Sequence, residues 1–328
     1  VGATFDFDVA DGNLGQPLDA GSYVLFVESE NAGLYFGDTA FAAETHWVSA
    51  GDMESDGFSE ADGETALRGD ITYGAVSASV SYVLSSSWDG AITPAAGGND
   101  NVNEMPAGDD LDQLSVGMAA DFGQFNVVVA YQEESEAFVA QPNFYYDAMG
   151  AGSADDEGNG DFNTAEIWGI SVGTSFGGAD IRLAYASDES NNTDSTGLSV
   201  SYPVGPVVLG AYYVSESAGG DNWGINVAYE NGPIAVALDY QDDQGVEKIG
   251  LEGSYDVGNG LMVYAGFLQD NGTALQSGDR FYVAGEYDLG SGAALLVSYA
   301  EDDENIDGDE IGANEYQRGT TVEVSFEF

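Results

Sequence analysis

Cysteine is absent from this 328-residue chain, lysine and arginine together number 5, and there is a single histidine. Without cysteine there can be no disulfides, no thiolate metal site and no cysteine nucleophile. With His46 as the only histidine, a His-based triad or zinc site has little material. No Gly-x-Ser-x-Gly elbow or Asp-His-Ser grouping surrounds His46, so an enzyme is not expected. Long apolar runs are missing too, and none approaches the roughly 18 residues a membrane helix needs. That absence does not argue against membrane residence, because a barrel hides its hydrophobicity in every second residue. The start at Val1 carries no basic, apolar leader, from which an export signal already removed is expected.

What the chain has is acid: 58 Asp and Glu, for a formal net charge of −53. Nucleic acid and other polyanions would be repelled, which excludes them as partners. Charge of this size with low hydrophobicity would suggest disorder. Here 43% of residues are hydrophobic and 12% aromatic, and they fall in an ordered pattern.

The pattern is alternation. In Leu114, Val116, Met118, Ala120 and Phe122 every second residue is apolar, with Ser115, Gly117, Ala119 and Asp121 between them. After Gly123-Gln124 the apolar face resumes at Phe125, Val127, Val129 and Tyr131. Trp223 to Tyr229 and Ile234 to Tyr240 repeat it around Asn231-Gly232, a strong hairpin dipeptide. The last residues, Val322 to Phe328, end on the same alternation, and Phe326 and Phe328 are expected to act as an assembly signal. Segments of about ten residues match tilted strands crossing hydrocarbon. Tight Gly-rich turns alternate with longer acidic connections at 89–110, 140–163, 189–195 and 301–315. Outward aromatics mark both strand ends, as two belts at headgroup level would. A soluble β-sandwich or solenoid predicts neither regularity. The expected fold is all-β: a transmembrane antiparallel β-barrel of even strand number, 16–18 with about eighteen segments countable, forming one domain over 1–328. Short turns would face the periplasm and long loops the outside.

One connection, 41–66, mixes Phe41, Trp47 and Phe58 with Glu44, Asp52, Glu54, Asp56, Glu60, Asp62 and Glu64. An amphipathic segment of this kind is expected to fold into the lumen, apolar side to the wall and acidic side to water. Strand parity turns four of the five bases inward: Arg68, Arg182, Lys248 and Arg280. Arg318 falls at the outer rim. A charged side chain facing lipid near the midplane costs about 2–4 kcal/mol, so inward bases are expected of any barrel.

The stretch Ser22-Tyr23-Val24-Leu25-Phe26-Val27, followed by Asn31-Ala32-Gly33-Leu34-Tyr35-Phe36-Gly37-Asp38-Thr39-Ala40 and the long loop, resembles the general porins of alphaproteobacteria, the purple-bacterium type. The Gly-hinged hairpins and terminal Phe328 extend the likeness over nearly the whole length. The resemblance implies a Gram-negative outer-membrane protein in contact with lipid and lipopolysaccharide. It implies a homotrimer that passes small hydrophilic solutes passively, with the loop as an acidic rim facing basic wall residues at a constriction. Two features depart from the family: the loop follows the third visible strand rather than the fifth, and the basic cluster is nearly gone.

A lumen rich in carboxylates concentrates cations, so a cation-preferring, otherwise unspecific pore is expected. No cofactor is required. Asp303-Glu304-Asn305-Ile306-Asp307-Gly308 matches the opening of a calcium loop, which makes Asp303, Asn305 and Asp307 candidate Ca2+ ligands, although Asn314 replaces the closing Glu. Alternatives are a substrate-specific channel, for which Tyr212, Tyr264 and Tyr282 have inward parity, or an acidic surface adhesin.

Overall fold

The computed structural model describes residues 1–8, 19–60, 65–85, 113–135, 163–271, 277–302, 310–311 and 316–326. The candidate calcium residues Asp303, Asn305 and Asp307, together with Asp62, Glu64 and Phe328, lie outside these, as do 89–110 and most of 140–163. The chain opens with β1 (Gly2–Asp8), β2 (Asp19–Glu28) and β3 (Ala32–Gly37), then a short helix α1 (Ala42–His46). Next come β4 (Thr65–Tyr73), β5 (Val76–Ser85), β6 (Leu114–Phe122), β7 (Phe125–Gln132), β8 (Ile167–Phe176) and β9 (Ala179–Asp188). They are followed by β10 (Thr193–Val204), β11 (Val207–Glu216), β12 (Asn222–Asn231), β13 (Ile234–Asp243), β14 (Val246–Gly258) and β15 (Leu261–Asn271). The chain finishes with β16 (Ser277–Gly290), β17 (Ala293–Asp302), the two-residue β18 (Glu310–Ile311) and β19 (Tyr316–Gln317), and β20 (Gly319–Phe326).

All but β18 and β19 form one 18-stranded sheet. Each strand pairs antiparallel with its sequence neighbours, β17 passing to β20. The sheet starts and finishes at the same rim: Gly2 stands opposite Phe26, and Phe326 opposite Ala293. Tight turns define that rim. At one of them Asn231 is the last ladder residue, opposite Ile234, so the turn is Gly232-Pro233 rather than Asn231-Gly232. Gly232 has φ 61°, the left-handed backbone that the first central position of a type II′ hairpin turn requires.

The period of two divides the sheet into two unlike faces. One carries Val116, Met118, Ile170, Leu183, Leu198, Leu238, Leu251 and Val297, all exposed. Its aromatic ends stand furthest out, with Phe122 64% and Phe176 77% exposed at the tight-turn rim. At the other rim the polar tips of the rings reach acids at or just beyond the strand ends. Trp168 Nε1–H donates to Glu189 (2.9 Å), Tyr240 Oη–H to Glu247 (2.9 Å), Tyr299 Oη–H to Glu301 (3.0 Å), and Tyr213 Oη–H to Asp221. An apolar ring with a wet tip is what a headgroup boundary selects.

The opposite face is polar and concave, because one segment, 41–60, touches strands from β5 to β12 along it. Two fully described connections at the rim away from the tight turns are short. Between β9 and β10 only residues 189–192 intervene, and between β13 and β14 only Gln244 and Gly245. The acidic composition there belongs largely to the strand ends themselves, as Asp242 and Asp243 illustrate.

Candidate functional site

The chain leaves β3 through Gly37, whose φ is 124° and whose missing Cβ would sit 2.0 Å from the Tyr23 carbonyl oxygen. A residue with a side chain could not turn there. The segment that follows is held mainly through its backbone. α1 has no side-chain N-cap. Its first amides donate instead to the wall: Ala42 N–H to Ser81 Oγ (2.9 Å) and Ala43 N–H to Ser115 Oγ (2.8 Å). Two of the donors that every helix start leaves orphaned are thus satisfied by two strands. Further along, Ser55 N–H donates to Ser195 Oγ (2.9 Å) and Ser59 N–H to Gln132 Oε1 (2.7 Å). The Asp52 carbonyl accepts from Asn222 Nδ2 (2.8 Å).

Small wall residues let the backbones meet. A Cβ on Gly117 would lie 2.0 Å from the Ala42 carbonyl oxygen, and one on Gly197 2.4 Å from that of Ala50. Trp47 packs against two buried groups, Ala43, Phe58, Ala130, Ala165 and Ile167 on one side and Ala50, Met53, Ala184, Ala186 and Val214 on the other. The underside of the segment at Ala43, Trp47, Ala50, Met53 and Phe58 is therefore apolar, and its carboxylates differ in exposure.

Of these, Glu54 and Glu60 are exposed, and Glu44 and Asp52 are partly buried. Burial raises the Glu44 carboxyl above its usual range; nearby Glu60 adds to this and Arg68 opposes it. Asp52 is raised by burial, then by Asp243 and Glu54, with Lys248 opposing. Asp56 is the deepest. Burial pushes it up to about 6, against the pull of the Trp47 Nε1–H that donates to its Oδ2 at 2.8 Å. Burial likewise lowers the pKa of His46, whose Nε2 lies 2.8 Å from Ser79 Oγ. Among the described residues no cluster of three His, Asp or Glu side chains could hold a metal ion.

The four inward bases do not gather at one place. Arg68 lies beneath the start of the segment: its Nη1–H donates to the Ala40 carbonyl (2.8 Å), it pairs with Asp70 (3.1 Å), and its guanidinium stands 4.5 Å over the Tyr35 ring. Lys248 pairs with Asp243 at 2.8 Å, within electrostatic reach of Asp52. Arg182 donates to Ser171 Oγ (2.7 Å) in a recess of about 730 Å³ that also reaches Gly51 and Tyr212. Arg280 is on β16, opposite Leu268 and Asp302 in register. Arg318 is exposed between β19 and β20. Phe326 occupies the last described position of β20.

The inward tyrosines do not form an open track. Tyr212 is wedged between Gly51 and Gly224, either of which would clash with its ring at 2.4 Å if it carried a Cβ. Tyr282 is covered by Tyr316. The residues the periodicity leaves unremarked are the holders: Ser81, Ser115, Gln132, Ser195 and Asn222, with Gly117 and Gly197. Their signal is that inward positions on β5–β12 carry hydroxyls, amides and glycines, with Arg182 on β9 the one base among the described residues there.

The chain matches the family model of the Gram-negative porins over residues 1–308. No curated protein sequence matches it. Among solved structures it is similar to mutant forms of the Rhodopseudomonas blastica porin. A doubly substituted form is 15% identical, with 99% of this chain and 98% of that one covered and a TM-score of 0.44. A triply substituted form is 15% identical over the same shares, with a TM-score of 0.45.

Proposed function

Because the chain belongs to the Gram-negative porin family, an outer-membrane channel family rather than an enzyme family, we propose that it is a passive, cation-preferring diffusion pore for small hydrophilic solutes, working as a homotrimer. The observation that carries the cation preference is the arrangement of segment 41–60. Its Glu44, Asp52, Glu54 and Glu60 are exposed or half-exposed, and two of the bases near it are already engaged, Arg68 with Asp70 and Lys248 with Asp243. A carboxylate-lined constriction concentrates cations and turns anions away. The formal charge of −53 biases the mouths the same way.

A planar-bilayer recording in a potassium chloride gradient tests this, and the reversal potential should carry the sign of potassium preference. A chloride-preferring reversal potential would overturn the reading. Raising salt should weaken the preference, since the Debye length falls from about 10 Å at 0.1 M to about 3 Å at 1 M. Insertion in threefold conductance steps would support the trimer, and single steps throughout would count against it.

A further inference from the structure

The wall made by β15, β16 and β17 carries an apolar patch on the polar face, separate from the one under segment 41–60. At inward positions it carries Tyr264, Leu268, Tyr282, Ala284, Leu296 and Ala300, and the first of these strands leaves room for the Tyr282 ring at Gly266, where a Cβ would lie 2.3 Å from it. A water-filled lumen is lined by polar groups, so an apolar patch of this size needs a cover. The cover is β19. Tyr316 is 3% exposed and its ring centroid stands 4.8 Å from that of Tyr282, which is itself 5% exposed. Beneath them Ala300 is 1% exposed. The Tyr282 hydroxyl donates to Glu252 Oε1 at 2.9 Å, fixing the ring on which Tyr316 rests. The sequence places 301–315 among the outside loops. The described part of that connection instead reaches back across β17 onto β16, pairing Ile311 with Tyr316 and Glu310 with Gln317.

Its position around the barrel matters. Trp47 and Phe58 rest on β7 and β8 through Ala130 and Ile167. β16 and β17 are nine strands further along an 18-stranded sheet, which is half the circumference.

We propose that the β18–β19 pair is a second inward element, anchored by Tyr316, that narrows the lumen from the side facing segment 41–60. The proposal rests on the pore reading above. It makes the passage two-sided, with carboxylates on one flank and tyrosines on the other, and makes Tyr316 a determinant of the size limit.

Single-channel recordings of Tyr316→Ala test it. Removing the ring uncovers the patch and frees the pair, so conductance should rise above that of the unsubstituted protein, and larger neutral polymers should enter. A second variant avoids any folding defect. Gln317 is exposed, and the chain contains no cysteine, so Gln317→Cys introduces a unique thiol. Its thiolate displaces sulfinate from a trimethylammonium thiosulfonate, forming a mixed disulfide and placing a bulky cation on the pair. Current should then drop. Unchanged conductance in Tyr316→Ala together with unchanged current after modification overturns the second element while leaving the pore reading intact. A protein that forms no channels at all would defeat the pore reading instead.

Discussion

Replacing Gly117 with valine should raise single-channel conductance and blunt ion selectivity while leaving the barrel folded. The added Cβ would meet the Ala42 carbonyl oxygen at 2.0 Å and the His46 ring at 2.6 Å. No rotamer relieves a clash made by Cβ itself, so the segment must move. Moving it breaks the bonds from Ala42 and Ala43 to Ser81 and Ser115 and exposes Phe41, Ala42 and Ala43, all buried. That end thereby gives up two hydrogen bonds at about 1 kcal/mol each and the burial of one aromatic side chain at about 2–3 kcal/mol. The ladder is spared, because Gly117 pairs with Ser79 and Ala130 through backbone alone, and valine suits a strand. Gly250→Val is the control. It also adds bulk to the inward face, but its nearest neighbours would be 3.8 Å away and belong to the wall, not to the segment. Conductance should fall slightly or hold there. If Gly117→Val lowers conductance as well, the segment is not seated as described.

The contrast between those two glycines shows where sequence reading stops. Strand count, face and belts are local properties, fixed by residues two apart, and for that reason the eighteen segments and the outward set from Val116 to Val324 were legible. The tyrosine and tryptophan belts were legible too, since ring chemistry at strand ends needs no partner to be recognised. The inward segment stood out because Phe41, Trp47 and Phe58 make no sense in water. What holds it was not legible. Ser81, Ser115, Ser195 and Asn222 lie 39, 72, 140 and 170 residues from their partners, and a serine at an inward position reads only as polar. Parity could turn Arg68, Arg182, Lys248 and Arg280 inward, but height along the barrel depends on strand stagger, which periodicity does not contain. Tyr316 was hidden for the opposite reason: a single aromatic in an acidic connection gives no period at all.

The same segment sets the second large effect, which is a response to pH. Asp56 is held at about 6 chiefly by burial, with Glu216 and Asp52 adding to the rise and the Trp47 indole opposing it. Its folded-state value exceeds the ordinary aspartate value of 3.8, so the folded segment binds the proton more tightly than the unfolded chain does. Stability from this group is therefore greatest in acid and is lost as pH rises through about 6. At neutral pH the ionised carboxylate costs the packed segment about 3 kcal/mol. Asp56→Asn removes that cost, because the amide oxygen still accepts the Trp47 Nε1–H. Hydrogen exchange at the Trp47 indole should accordingly be slower in the variant at pH 7.5, and the gap in free energy should narrow to about a third by pH 4.5 as the native carboxyl takes up its proton. Glu44 and Asp52 are raised in the same direction, chiefly by burial, so each gives up its charge at a higher pH than an ordinary carboxyl does. Cation preference of the native pore should fall between pH 7 and pH 4.5, and less steeply in the variant, which has one fewer carboxylate to neutralise. An exchange gap of the same size at both pH values would mean that the Asp56 carboxylate is not what loosens the segment.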